Sequence, residues 1–432
     1  MKKVIEQSLP NPDNITRREL ANGIVVLVKE NHANPAVFIN GSIDAGGAYI
    51  TREQAGLPGF VASCLMRGTE KRDFAAINEA IENIGASLRI GAGNNRAGFG
   101  GKALSEDFGT LIELLAEVVR TPTFPAQHVE RRRGELVTSL LYREHDTQAM
   151  ANLTFQEMLY PEGHPYSFSS SGYVETVQAF TRDDLADFHS RVYGPQRMIL
   201  CVVGAIDAGA AIAEVEKAFG DWQNPDQPDY PGIPDVPAPS MIRRRDHVIA
   251  GKTQSDLVLG FPGPSRHAED WQAANMANSI LGQFGLMGRL GEVVREKHGL
   301  AYYSYSVIGG SDGPSPWACI AGVAPGNVEL AINSILGEID RMVREQVSDE
   351  DINDNKAYFT GRLPLRLETN GGVASFLLSM ERYGLGLDYV LNYKQMIGAL
   401  TKDDLLAACQ HYLNPNAYAV AVAGPELAEG GK

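Results

Sequence analysis

The sequence predicts an α+β protein made of two homologous repeats, each a mainly antiparallel sheet with helices packed on one face. Three observations carry that expectation. One stretch of the chain recurs half a chain length later, helical and strand patterns alternate inside each half, and regularly spaced prolines separate the halves.

The recurrence is the strongest of the three. Residues 181–204 read TRDDLADFHSRVYGPQRMILCVVG, and residues 401–424 read TKDDLLAACQHYLNPNAYAVAVAG, aligning without a gap. Thr181, Asp183, Asp184, Leu185, Pro195 and Gly204 return as Thr401, Asp403, Asp404, Leu405, Pro415 and Gly424. In each copy Thr is a good helix N-cap, and the two carboxylates sit where the positive end of the helix dipole favours them. A Pro-containing turn and an apolar, β-rich run ending at Gly follow.

The remaining elements read in order. Val37 to Ile43 is a strand pattern, and Gln54 to Met66, Phe74 to Ile84 and Ser105 to Arg120 are helical. Val129 to Tyr160 reads as one long helix, while Met198 to Val203 and Ala417 to Val422 read as buried strands. Between the repeats, Pro225, Pro228, Pro231, Pro234 and Pro237 recur every third residue, with Pro239 close behind. That period suits an extended polyproline II segment. It divides the chain into a first repeat over 1–223, a linker over 224–246 and a second repeat over 247–432.

Composition narrows the function. A chain of 432 residues suggests more than one core, and 44 % apolar with 21 % charged residues is ordinary for a globular protein. A formal charge of -15 argues against a nucleic-acid partner. The runs Arg131-Arg132-Arg133 and Arg243-Arg244-Arg245 read as solvated faces. No apolar stretch follows Met1-Lys2-Lys3-Val4, and none elsewhere is long enough for a membrane helix. The expectation is a cytoplasmic protein, or a periplasmic one if a signal has been removed. Cys64, Cys201, Cys319 and Cys409 lie far apart, which argues against a disulfide framework or a cysteine-based zinc site.

The segment from Gly41 to Thr69, GSIDAGGAYITREQAGLPGFVASCLMRGT, resembles the zinc-site segment of the pitrilysin and insulin-degrading peptidases. The likeness is greatest to the branch that holds mitochondrial processing peptidase and its bacterial relatives. In that family a helix carries His-x-x-Glu-His between a Gly-Leu lead-in and a Gly-Thr exit; Gly56-Leu57 and Gly68-Thr69 keep the frame here. Residues i and i+4 share a helix face, so two imidazoles can hold one zinc while the Glu activates its water. The resemblance puts the two ligand positions on Gly59 and Ser63, the base on Ala62, and the third ligand on Ser139 of the stretch VERRRGELVTSL. Glu130 and Glu135 are close but off the aligned position, and His164 in Gly-His-Pro-Tyr resembles a structural turn. This chain is therefore expected to bind no metal.

The second repeat resembles the family differently. NSILGQFGLMGRLGEVVREKHGLAYYSY (278–305) matches the segment whose Arg and Tyr, seven residues apart, bind the scissile carbonyl region of the substrate. Here those are Arg295 and Tyr302. A guanidinium and a phenol beside a developing oxyanion favour the transition state over the ground state. The alternative is a surface salt bridge for Arg295 and a core-filling role for Tyr302. The stretch containing Gly282, Gly285 and Gly288 reads either as a substrate loop or as a helix-connecting turn. It is no nucleotide loop, having no Lys-Ser/Thr ending.

The resemblance implies a non-catalytic subunit that pairs with a zinc-bearing paralogue, binds extended peptides by strand addition and supplies Arg295 and Tyr302 in trans. Zinc would belong to the partner. The edge near Ile90 to Gly101 is the matching place for peptide. A structural subunit of a larger complex and a zinc-free, peptide-binding homodimer stand as alternatives.

Overall fold

The computed structural model describes residues 9–427, and the chain forms two compact units, each built on one sheet. The first repeat supplies β1 (Thr16–Glu19), β2 (Val25–Glu30), β3 (Ala36–Ile43), β4 (Ser87–Ala92), β5 (Ala97–Leu104) and β6 (Ile199–Gly204). Its helices are α1 (Leu57–Cys64), α2 (Phe74–Asn83), α3 (Phe108–Arg120), α4 (Ala126–Arg143), α5 (Thr147–Leu159), α6 (Val174–Ala179), α7 (Arg182–Val192) and α8 (Ala208–Phe219). The second repeat supplies strands β7 (Arg243–Val248), β8 (Ser255–Pro262), β9 (Ala301–Ile308), β10 (Pro316–Val323) and β11 (Ala419–Gly424). Its helices are α9 (Trp271–Gly282), α10 (Val328–Arg344), α11 (Asp349–Arg366), α12 (Asn370–Arg382), α13 (Tyr389–Ala399) and α14 (Lys402–Tyr412).

The sheets run β1-β2-β6-β3-β5-β4 and β7-β11-β8-β10-β9. Each has one parallel pair, β2 with β6 and β7 with β11, and is otherwise antiparallel. Strand for strand, the second order repeats the first without β1, so β7 stands at an edge where β2 does not. The capping boxes repeat as well. The Thr181 amide and hydroxyl both donate to Asp184 at 2.7 Å, and Thr401 does the same to Asp404 at 2.7 Å. The α+β duplication expected from the sequence is the architecture found.

The structure adds a second covered face. Successive side chains of a strand point to opposite faces. In the first sheet Val37 and Ile39 are buried on one side, while Asn40 donates to Ser375 Oγ of α12 at 2.8 Å and the Phe38 ring lies against Gly371. In the second, Arg243 donates to the Met158 carbonyl of α5 at 3.1 Å and Arg245 approaches Glu157 at 3.7 Å. Arg244, pointing the other way, meets Glu329 of α10 at 2.6 Å. Each sheet thus carries helices of its own repeat on one face and a single helix of the other repeat on the second. Helix α12 packs on β3 and β6, and α5 packs on β8 and β11. Burial on both faces explains why β6, β8 and β11 are apolar runs with hardly an exposed position.

The units are therefore discontinuous. One holds residues up to Thr138, Ser170–Pro231 and Gly361–Lys394; the other holds Ser139–Ser169, Gly232–Thr360 and the rest. The sequence reading divided the chain once, at 224–246. Residues 227–240 carry no helix or strand, and β7 occupies the last four residues of that stretch. The long helix expected over Val129 to Tyr160 is two, because Asp146 accepts from the Ala149 amide at 2.8 Å and caps a new helix. His164 is a structural clamp: Nε2 donates to the Pro234 carbonyl at 2.9 Å, Nδ1 accepts from the Tyr166 amide at 3.0 Å, and the ring stacks on Tyr160.

Two expected outcomes follow. Thr181→Ala and Thr401→Ala each cost about 1 kcal/mol by removing equivalent caps, measurable by denaturant unfolding. His189, whose Nε2 donates to the Val119 carbonyl at 2.7 Å, is held neutral by burial, which pushes its pKa down to about 4. Burial also lowers the pKa of His164. The unfolded chain takes up these protons near pH ~6.5 while the folded one refuses them. Stability is then full above that pH and falls as pH drops toward about 4. His189→Gln flattens that fall in thermal melts taken across the range.

Candidate functional site

The chain around Arg295 and Tyr302 is irregular for identifiable reasons. Helix α9 ends at Gly282, which lies so close to β9 that a Cβ there would sit 2.2 Å from the Ser306 nitrogen. The next segment, Phe284–Leu290, leaves helical geometry at Gly285 (φ 61°), Leu286, Met287 (φ 74°) and Gly288 (φ 60°). A Cβ on Gly288 would sit 2.6 Å from the Ile280 carbonyl, whereas Gly285 faces open space. The glycine series is a tight connection between α9 and the π-helix Gly291–Lys297. Runs of π-helix are rare and concentrate at functional sites.

Arg295 sits in that π-helix, half-buried, and its guanidinium makes no hydrogen bond or ion pair among the described residues. Tyr302 is 83 % exposed on β9, the edge strand of its sheet. Opposite the consecutive residues Gly322 and Val323 stand Tyr303 and Ala301, so Tyr302 is the extra residue of a β-bulge. Bulges re-aim side chains. This Tyr fills no core, and this Arg is spent on no salt bridge.

Sequence reasoning missed what lies under the bulge. Asp256 of β8 is buried with no cation beside it among the described residues; it accepts from Thr147 Oγ1 at the start of α5, from Gln254 Nε2 at 3.0 Å and from the Tyr303 hydroxyl. Burial, then the carboxylate bond, push the Tyr303 phenol well above its ordinary pKa, so it stays a proton donor. The amide of Gln148 donates to Tyr305 at 3.2 Å. Two of the three tyrosines near the bulge are thus anchored, and Tyr302 is left free.

In the first repeat the positions singled out lie on α1 and α4. Gly59 has room for a Cβ, Ala62 is buried, and the Ser63 hydroxyl donates to the Phe60 carbonyl at 2.8 Å. Ser139 is exposed on α4, where Glu130 pairs with Arg133 and Glu135 with Arg131 and Arg132. These four side chains supply no imidazole, thiolate or carboxylate, so the donor set does not fit zinc. Of the expected peptide edge, only Ile90 to Ala92 lies on the edge strand β4; residues 97–101 belong to the inner strand β5. A charged trio also escaped notice, in which the buried Asp44 lies 2.6 Å from both Arg96 and Arg197, which are themselves only partly buried. Nothing in the local sequence connects those three positions.

Comparison with known proteins settles the relationship. A model described as "Insulinase (Peptidase family M16)" matches residues 25–161, and one described as "Peptidase M16 inactive domain" matches residues 179–359. The chain belongs to peptidase family M16. Among M16 relatives, an uncharacterised zinc protease of Mycobacterium leprae is 25 % identical over 420 residues, 95 % of this chain and 92 % of that one. The β subunit of mitochondrial-processing peptidase from Saccharomyces cerevisiae is 22 % identical over 90 % of this chain and 86 % of its own length. In structure, an M16 inactive-domain protein from Pseudomonas fluorescens superposes with a TM-score of 0.88 at 25 % identity, covering 97 % of this chain and all of that one. A protease from Helicobacter pylori shares the M16 fold with a TM-score of 0.89 at 18 % identity, over 96 % of this chain and 100 % of its own. No described helix is long and apolar enough to cross a membrane.

The connection into the Arg295 helix makes its own prediction. Gly282→Ala and Gly288→Ala lower stability by about 1–3 kcal/mol, since each Cβ meets backbone. Met287→Gly, by contrast, relieves a left-handed residue and leaves stability unchanged or slightly raised in the same unfolding experiment.

Proposed function

We propose that this M16 chain is the non-catalytic subunit of a heterodimeric zinc metallopeptidase, binding peptide substrate and presenting Arg295 and Tyr302 to the metal site of a zinc-bearing paralogue. The observation that carries the reading is the state of the pair: an Arg whose guanidinium has no partner among the described residues and an 83 % exposed Tyr lifted out on a β-bulge. Groups with a purely structural task are buried or bonded, as Tyr303 and Asp256 are. The absence of zinc ligands at Gly59, Ala62, Ser63 and Ser139 supports the same division of labour. So does the description of a matching family model as an inactive domain.

In this reading the metal and the attacking water belong to the partner. The chain's own contribution is electrostatic: a fixed positive charge and a phenolic O–H placed where the carbonyl oxygen gains charge. The π-helix and the anchored Tyr303 hold both donors before substrate arrives, so little reorganisation is needed at the moment of reaction. Substrate would lie extended along the β4 edge, where Gly91 and Gly93 leave open space and main-chain groups can pair.

The test is cleavage of a quenched fluorescent peptide library by this chain alone, by its zinc-bearing paralogue alone and by their mixture. Activity is expected chiefly in the mixture and is abolished by a chelator. Arg295→Ala and Tyr302→Phe should each lower turnover of the mixture by roughly 10- to 100-fold without preventing assembly. Full turnover with both variants would overturn the role of the pair, and chelator-sensitive activity from this chain alone would overturn the non-catalytic assignment.

A further inference from the structure

Arg295 cannot inherit its aim from α9. The residues Gly285 to Gly288 leave helical geometry, so the π-helix Gly291–Lys297 is not a continuation of that rod. Two fully buried side chains seat it, Leu290 just before its start and Val294 within it. Apolar contact is non-directional. It holds the π-helix against the core without fixing its rotation on that seat. A directional restraint is needed, and the neighbouring residue supplies one.

Arg289 precedes Leu290 and turns into the helices of its own repeat, its side chain only 14 % exposed. Its guanidinium donates to Asp351 in the first turn of α11 at 2.7 Å and reaches Met342 Sγ of α10 at 3.5 Å. Burial works to raise the Asp351 pKa, but the Arg289 bond and charge, joined by Ser348, outweigh it and hold the carboxylate below its ordinary range. Among the described residues, no other side chain from Phe284 to His298 makes a hydrogen bond or an ion pair. Because Asp351 is still 36 % exposed, the pair adds little to global stability. What it adds is direction: one fixed point beside a short, otherwise unbonded helix.

We propose that Arg289 is the positioning residue for Arg295, its bond to Asp351 fixing the π-helix from which the Arg295 guanidinium is presented. For the reaction this rests on the peptidase reading; the hold on the π-helix is a property of this chain alone.

The test has one arm for each. The His298, Gly299 and Leu300 amides close the π-helix by donating to the Val293, Arg295 and Val294 carbonyls. Hydrogen exchange of the full chain, read by mass spectrometry, follows them without any partner. Arg289→Met keeps the apolar stem and removes the charge; it should speed exchange over 291–300 about tenfold while β8 and β11 keep their protection. Arg289→Lys, which keeps the charge, should stay near the wild-type rate. In the mixture with the zinc-bearing paralogue, Arg289→Met and Asp351→Asn should each lower kcat about tenfold at nearly constant KM, and cost nothing further once Arg295 is replaced by Ala. Circular dichroism confirms that each variant is folded. Unchanged exchange over 291–300, or exchange that rises equally in β8 and β11, would overturn the proposal. So would a turnover cost that is the same with and without Arg295. Silence of the wild-type mixture would sink the peptidase reading, and the exchange result would still decide the role of Arg289.

Discussion

The structure depends on the reciprocal exchange of α5 and α12. Each repeat builds a sheet that is apolar on both faces but covers only one with its own helices. The second face of the first sheet is closed by α12, anchored through Asn40 and Ser375. The second face of the other sheet is closed by α5, whose first turn delivers Thr147 to the buried carboxylate of Asp256. Left open, either face would expose a contiguous apolar surface of the kind that soluble proteins avoid.

That exchange also reaches the candidate site. Asp256 has no cation beside it among the described residues, and the N-terminal end of α5 supplies the Thr147 hydroxyl and a favourable dipole in its place. The carboxylate so held fixes Tyr303, next to the bulge that turns Tyr302 outward. A helix encoded in the first repeat thus stabilises the strand that presents Tyr302 in the second. The glycine connection from α9 works from the other side, where Gly282 and Gly288 permit a backbone approach that any side chain would block.

Much of the fold could be read from the sequence because its signals are local. The Thr-x-Asp-Asp caps, the strands at Val37 to Ile43 and Met198 to Val203, and the equal spacing of the repeats all rest on neighbouring residues. The break between α4 and α5 had a local signal too, Asp146 three residues before Ala149, which the run of helix-forming residues around it obscured. What could not be read was partner choice. Nothing in TQAMANLTFQEML or NGGVASFLLSMER states which sheet each helix will cover, because an apolar face fits any apolar surface. The bulge at Tyr302, the π-helix and the trio around Asp44 are likewise products of tertiary packing. For the site, the positions Arg295 and Tyr302 came from the longer match around them, and their exposure became visible only in three dimensions.

The exchanged helices also change what the proline-rich stretch means. It is one of five places where the chain passes between the compact units, at 138–139, 169–170, 231–232, 360–361 and 394–395. A protease that cut there would not release two modules. Each fragment would still hold in its fold a helix belonging to the other, so the nicked protein would migrate as two bands under denaturing conditions yet behave as one particle in native buffer. Separately produced halves would be incomplete for the same reason, and each would find its missing helix only in the other.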